Sequence, residues 1–433
     1  MIYIGSRRKI QKTLYRLLSM RNKYPLLLYV KLICIKILLH CEYKKPTIGA
    51  LWSKTQFMAK IASYIGIDYN INNLGNVYSE SGDNLGLIKN IEYQDIEYSK
   101  KLFGLTNQFE GYITSGGTEG NLFLVWLGRE KLKRKGKQKI VLLLTKFTHY
   151  SIKKAANILA VDIEYIPYSN IDYTLDYKRL SLSVQKLYSK GFRSFMLPVT
   201  LGYSSTGSID NMREIKSVIE RIKKSRKDIC FYLWVDAAMQ GLPLMFLDQK
   251  INKFNFNNVN GIIIDYHKLA GTPIPSGVVM YKRNLRNLIE SDIDYLYEKD
   301  NTILGSRPGF SAMAIYSYIN SYPEDKKRMY FFKLVRQKNE FIDLLKNAVP
   351  GVRVVNSDNS LTFAIFIDKV FKRLPHDVED KFALNVCSID GIDHYKIHVA
   401  SLNFLMYGMQ LIDELHKIYN VLSDYPRVIN PRL

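Results

Sequence analysis

The stretch GIIIDYHKLAGTPIPSGVVMYK, Gly261–Lys282, decides how this chain is read. An apolar run of the kind that forms a buried strand stops at Asp265, Tyr266, His267 and Lys268, and a Gly/Pro-rich turn leads into a second apolar run. A lysine at the mouth of a buried strand loses water around its ammonium, and desolvation favours a neutral amine. A neutral amine is what covalent chemistry on a carbonyl requires, as in a Schiff-base lysine. Lys268 can equally snorkel from a strand end to solvent. The rest of the chain has to separate the two.

Working outward, short apolar runs alternate with amphipathic helical stretches from about residue 110. The runs are KIVLLLT (Lys139–Thr145), DIEYIP (Asp162–Pro167), RSFMLPVT (Arg193–Thr200), CFYLWV (Cys230–Val235) and GIIID (Gly261–Asp265). Helices are expected from Ser151, over Asp176–Lys190 and from Asp210. Strands alternating with helices predict an α/β fold with a mostly parallel sheet covered on both faces. Ligands of such sheets bind beyond the carboxyl ends of the strands. After SRPGFSAMAIYSYI (Ser306–Ile319) and a long charged helix, the rhythm changes to VRVV, LTFAIFI and HYKIHVA, as in a small α+β lobe. The expected division is an N-terminal helical segment over 1–68, a large domain over 69–320 and a small C-terminal domain over 321–433.

The 433 residues suffice for a large core with a second lobe. The formal charge of +22 suits an anionic partner without choosing between a phosphate-bearing ligand, nucleic acid and an anionic surface. Two dense basic runs, Arg129–Lys139 and Glu220–Asp228, close predicted helices, where cations complement the negative end of the dipole. They read as solvated helix ends, so no specific nucleic-acid partner is expected, and a salt-dependent shift of DNA or RNA would be the test of the contrary. Cys34, Cys41, Cys230 and Cys387 are scattered without CxxC spacing, against a disulfide framework or zinc site; a reducing, cytoplasmic setting and no metal are expected. The apolar stretch Tyr24–His40 is interrupted by Lys31 and Lys36 and falls short of the roughly 20 residues that span a bilayer. It reads as an amphipathic helix that docks on a partner subunit rather than on a membrane surface.

Three features converge at the expected strand ends. YITSGGTEGN (Tyr112–Asn121) puts a Ser-Gly-Gly-Thr turn before a helix, so that free backbone N–H groups and the positive dipole end form a phosphate cradle, although such turns are often mere punctuation. WVDAAMQG (Trp234–Gly241) ends a strand on Asp236 followed by two alanines. That carboxylate either caps a helix or holds a proton on a heteroaromatic nitrogen while the alanines admit a flat ring. Lys268 follows on the next expected strand. A phosphate cradle, a buried carboxylate and a desolvated lysine in this order form the pattern of a pyridoxal 5'-phosphate enzyme.

With these motifs, and with YNINNLGN, THYSIKKAA, HKLAGTPIPSGV and YLYEKDNTILGSRPG in order, the chain resembles the group II pyridoxal-phosphate-dependent amino acid decarboxylases, in the branch of the histidine decarboxylases and plant serine decarboxylases. The resemblance runs from about Tyr69 nearly to the C-terminus. It implies the fold-type I, aspartate aminotransferase-like architecture, a homodimer with active sites at the subunit interface, and decarboxylation of an L-amino acid, histidine to histamine or serine to ethanolamine. Carried over by position, it implies Lys268 as the Schiff-base lysine, Asp236 as the partner of the pyridine nitrogen, and His149 stacked on one ring face with Ala238 on the other. It puts Gly117, Thr118 and His267 at the phosphate and Ser204 near the ring hydroxyl. His149 and Tyr295 are its candidate acids for reprotonation, and Asn72 and Asn73 are weaker candidate substrate contacts.

Three departures stand out. Asp265 occupies a position where the family has a serine, Trp234 one where a histidine is common, and Tyr203 one where a threonine is usual. A carboxylate near a phosphate charge costs on the order of 4 kcal/mol at about 4 Å and an effective dielectric of 20. Asp265 therefore raises a competing expectation, a catalytically impaired relative acting as a binding or regulatory partner; an enzyme that keeps the fold and runs another reaction is a separate alternative.

Overall fold

The computed structural model describes residues 30–37, 39, 46–51, 54–78, 86–134, 139–293 and 298–419. Seven strands form the main sheet: β1 (Phe109–Thr114), β2 (Lys139–Leu144), β3 (Asp162–Tyr165), β4 (Phe192–Thr200), β5 (Cys230–Asp236), β6 (Gly261–Asp265) and β7 (Gly277–Lys282). Their spatial order is β1-β7-β6-β5-β4-β2-β3. All neighbours are parallel except β7, which runs antiparallel to both β1 and β6. The expected mostly parallel sheet is therefore present, and its one reversed strand is the second apolar run of the opening stretch.

The strands are apolar on both faces because both are covered. Side chains alternate across the sheet: Leu142, Leu144 and Ile263 join one buried cluster, Val141, Leu143, Ile262 and Ile264 the other. On the first face lie α3 (Gly117–Lys133) and α4 (Tyr150–Ile158), which contribute Phe123, Leu124, Leu127 and Ile152. The second face is covered by α2 (Gly86–Leu102), α5 (Tyr177–Ser189), α6 (Met212–Ser225), α7 (Gly241–Leu247), α9 (Gly309–Ser321) and α10 (Glu324–Ala348). Helix α8 is the four-residue turn Tyr266–Leu269 that follows β6. Preceding them all, α1 (Phe57–Asp68) packs on α9, where a Cβ on Gly66 would come within 2.7 Å of Phe310 Cα.

Beyond the long helix α10 the strand pattern changes. Strands β8 (Val354–Asn356), β9 (Thr362–Phe366), β10 (Val386–Ile389) and β11 (Ile392–His398) form an antiparallel sheet in the order β8-β9-β11-β10, with α11 (His376–Phe382) and α12 (Phe404–Tyr419). This lobe is not independent of the large sheet, since Phe363, Ile365 and Tyr395 belong to the same apolar cluster as Val235 and Ile262. It also holds part of the N-terminal segment: the His398 N–H donates to Ile48 O at 2.8 Å, and the Ile48 N–H to Phe382 O at 3.2 Å. Residues 46–49 thus pack on the far end of the chain, a long-range contact with no local sequence signal.

Residues 30–37 are helical and expose Val30, Leu32, Ile33 and Ile37; the rest of the Tyr24–His40 stretch lies mostly outside the described residues. Among the described residues, no helix is long and apolar enough to cross a membrane.

Candidate active site

The C-terminal ends of the parallel strands open on a cleft of about 270 Å³. Its walls hold Gly117, Thr118, His149, Ser204, Asp236, Ala238, His267 and Lys268, together with Asn121, Tyr203 and Asp265. The structure thus brings together eight residues that the sequence separates by up to 151 positions.

Each is placed by a strand end. β1 leads into Ser115 and Gly116, and α3 starts at Gly117. Gly116 has φ 134°, a conformation that side chains with a Cβ rarely adopt, and a Cβ there would lie 2.7 Å from the His267 ring. A Cβ on Gly117 would meet Ala238 Cβ at 2.9 Å. The Glu119 carboxylate accepts the Ser115 N–H at 2.7 Å and so fixes the turn. The first N–H groups of α3 have no acceptor within the helix and face the cleft with the positive end of its dipole.

Asp236 ends β5, and both of its oxygens are held. Oδ2 accepts from Asn121 Nδ2 at 2.9 Å, and Oδ1 accepts the Ala238 N–H at 3.2 Å. Asn121 is itself fixed, because its Oδ1 accepts from Trp234 Nε1 at 3.1 Å. Trp234, a departure from the family pattern, is the fully buried anchor of this chain of contacts. The second departure, Tyr203, is also locked: its hydroxyl donates to Asp210 at 3.0 Å, and Asp210 accepts the Thr200 and Leu175 N–H groups. Burial pushes the Asp210 carboxyl up to about 6 and the Tyr203 phenol well above its usual range.

His149 is the N-cap of α4. Its Nδ1 accepts the Ser151 N–H at 3.3 Å, which leaves the proton of the neutral ring on Nε2. Burial lowers its pKa below the ordinary value, opposed by Asp236 and reinforced by Lys268. A neutral, flat imidazole therefore lines one wall.

Lys268 departs from expectation. Its side chain is 24% exposed, and Nζ lies 2.8 Å from Asp265 Oδ2. It is an ion-paired lysine, not a solitary desolvated one. His267 Nε2 is 3.7 Å from the same oxygen, and His267 Nδ1 sits against the backbone of Ser276.

The remaining candidates lie elsewhere. Asn73 is buried, but its Nδ2 donates to Glu92 at 2.6 Å, and Glu92 pairs with Arg307. Asn72 donates to Ser306 Oγ at 3.1 Å. Neither lines the cleft of its own chain, because both belong to the short antiparallel pair Asn72–Leu74 with Ser306–Pro308. Tyr295 lies outside the described residues. Sequence reasoning missed Asn121 and Gln240. Asn121 stands one turn into the helix after the Gly-Gly motif, on the face that carries Gly117. Gln240, buried behind the cleft, donates to Thr362 Oγ1 at 3.0 Å and accepts the Leu361 N–H at 2.9 Å, tying the turn after β5 to the small sheet.

The geometry has counterparts among known proteins. A model of the pyridoxal-dependent decarboxylase conserved domain matches residues 89–345, more than half of the chain. The chain belongs to the pyridoxal-dependent decarboxylase family. Among relatives of this decarboxylase, a histidine decarboxylase from Pseudomonas entomophila is 32% identical over 299 residues, covering 68% of this chain and 70% of the other. One from Klebsiella aerogenes is 30% identical over 296 residues, covering 68% and 74%. One from Vibrio campbellii is 32% identical over 256 residues, covering 59% and 63%. The fold matches an L-methionine decarboxylase from Streptomyces sp. 590 with a TM-score of 0.80 at 18% identity over 91% of this chain and 96% of that one. It matches a Lactobacillus brevis glutamate decarboxylase with 0.78 at 14% over 95% of each. The fold is that of the fold-type I pyridoxal-phosphate enzymes, the enzyme class is amino acid decarboxylase, and the cofactor is pyridoxal phosphate. The decarboxylase's own residues fit that cofactor at the ring, where Asp236, His149 and Ala238 converge. At the phosphate they fit through the backbone of α3, with Asp265 as the one discordant group.

Proposed function

We propose that this decarboxylase converts L-histidine to histamine and CO2, as a homodimer in the cytoplasm. The observation that carries the histidine reading is the agreement among relatives at 30–32% identity, all named histidine decarboxylases. Dimerisation is supported by the outer face of α1, where Phe57, Met58, Ile61, Tyr64 and Ile65 are exposed. Contiguous apolar surface on that scale marks an interaction site.

In this reading the Lys268 amine would hold the cofactor through its aldehyde. Asp236, aimed by Asn121 and the Ala238 N–H, holds the proton on the pyridine nitrogen. His149 and Ala238, on the walls of the cleft, would hold the cofactor's ring between a neutral imidazole and a methyl group, without an added charge. Gly117 and Thr118 offer backbone N–H groups to the phosphate, with His267 beside them, and Ser204 is the nearby hydroxyl for the ring oxygen. Bound pyridoxal phosphate supplies the electron sink into which the bond to the departing CO2 empties. His149, through Nε2, is the candidate in the cleft for returning a proton to the substrate carbon.

The test is to load the purified protein with pyridoxal phosphate and supply a panel of L-amino acids that includes histidine, serine, methionine, glutamate and tryptophan. Histamine with stoichiometric CO2 is expected, with kcat/KM for histidine at least about tenfold above the rest, a margin of about 1.4 kcal/mol. Ethanolamine or another amine as the main product overturns the substrate and leaves the reaction type standing. No amine from any amino acid overturns both.

A further inference from the structure

Asp265 sits where an anionic ligand would be received. Its side chain is 1% exposed, and its carboxylate rests against glycines at the mouth of the cradle. A Cβ on Gly117 would lie 3.2 Å from Oδ2, and one on Gly277 2.8 Å from Oδ1. Oδ2 faces Lys268 at 2.8 Å and His267 at 3.7 Å. Oδ1 is buried and has no hydrogen-bond partner among the described residues. The carboxylate spans the mouth of the cradle, with Oδ2 beside Gly117, the first residue of α3, and the donorless Oδ1 between Gly116 and Gly277, so that a negative charge of the protein stands at the seat that the helix N-terminus prepares for a phosphate.

We propose that Asp265 sets the selectivity of this site for the cofactor's 5' substituent: it opposes the phosphate dianion and lowers the preference for pyridoxal phosphate over unphosphorylated pyridoxal. This rests on pyridoxal phosphate as the cofactor and not on which amino acid is the substrate. Before the cofactor arrives, the Lys268 ammonium neutralises the carboxylate. With the Lys268 amine engaged by the cofactor's aldehyde, its free ammonium is no longer available to Asp265, which would face the phosphate with His267 Nε2, 3.7 Å from Oδ2, as its next neighbour. The unphosphorylated ligand meets no such repulsion, and its free hydroxymethyl group has a proton to give to Oδ1. Both ligands engage Lys268 through the same aldehyde, and the cyclic hemiacetal that free pyridoxal forms in water is the same whichever protein is present, so the change in the affinity ratio between wild type and variant isolates the part that depends on phosphate.

The experiment measures equilibrium dissociation constants of pyridoxal phosphate and pyridoxal, by absorbance and fluorescence, for the cofactor-free full chain and for Asp265→Asn and Asp265→Ser. Asn keeps the shape and removes the charge, and Ser also removes bulk, so agreement between them reports charge. The affinity ratio of pyridoxal phosphate to pyridoxal is expected to rise by about tenfold or more in both variants. A ratio that stays within about threefold of the wild type in both variants overturns the proposal. So does equal weakening of both ligands, which would make Asp265 a positioning residue for Lys268 alone. Since no amino acid enters the assay, either result leaves the histidine reading to its own test.

Discussion

Trp234 Nε1 donates to Asn121 Oδ1 at 3.1 Å, and through Asn121 this indole orients Asp236. Removing the donor leaves a buried amide oxygen unpaired, which costs about 1–3 kcal/mol. Trp234→Phe is therefore expected to lower stability by that amount in denaturant unfolding and to loosen Asp236. Asn121→Ala, which removes one of the two donors to Asp236, should cut kcat by about tenfold or more while KM changes less. An Asn121→Ala enzyme with unchanged kcat would show that the relay does not act on the ring nitrogen.

Lys268 is expected to be the point of covalent attachment. Borohydride treatment of the loaded protein should fix the cofactor to the peptide containing Lys268, and Lys268→Ala should lose both the adduct and turnover. Peptide mapping by mass spectrometry checks this, and a label elsewhere in the chain would remove Lys268 from its role.

The buried pair of Glu92 and Arg307 holds the segment around Asn73: Glu92 accepts from Asn73 and from the Ile113 N–H, and Arg307 donates to Gly75 O at 2.7 Å. Deleting one partner leaves a buried charge uncompensated, at a cost of about 3–5 kcal/mol. Arg307→Met and Glu92→Gln should each destabilise to that extent, and the double variant should cost less than the sum of the two. Chemical denaturation of the three variants measures it.

His398 gives the chain an acid-sensitive joint. Burial, with Lys396 and Lys268 nearby, lowers its pKa to about 3, and its Nδ1 lies 2.9 Å from Thr362 Oγ1, whose oxygen also accepts from Gln240. The unfolded chain binds a proton near pH 6.5 that the folded chain refuses until about pH 3. The stabilising term is thus whole above pH 6.5 and is lost as pH falls from 6.5 towards 3, by at most about 1.4 kcal/mol per pH unit. His149, also lowered by burial, contributes with the same sign. Unfolding free energies measured across that window should show a smaller slope for His398→Asn than for the wild type.

The exposed apolar face of α1 is expected to be covered by a second copy. Ile61→Glu should shift the protein towards monomer at fixed concentration in sedimentation, and should weaken cofactor retention if the site is completed at the interface. A fully dimeric Ile61→Glu protein would place the interface elsewhere.

The opening stretch and the strand-helix alternation determined the α/β class, five strands to within a residue or two, and the cleft at the strand ends. Continuous apolar runs and Gly-Gly turns are local signals, so they survive in the linear sequence. The small sheet was legible as a change of rhythm for the same reason. Tertiary structure alone decided what Asp265, Asn121 and Asn73 do. From the sequence Asp265 could turn away, bind a proton or weaken the cofactor, and only the close approach of β6, α3 and α8 sets its carboxylate beside Gly117 with Lys268 against it. Asn121 gains its role from Trp234 and Asp236, 113 and 115 residues away. Asn73 is held by Glu92, 19 residues away. Hydrogen bonds and ion pairs are short-ranged and directional, so partners so far apart in sequence are chosen by the packing of the strands that carry them, and composition and spacing do not record that choice.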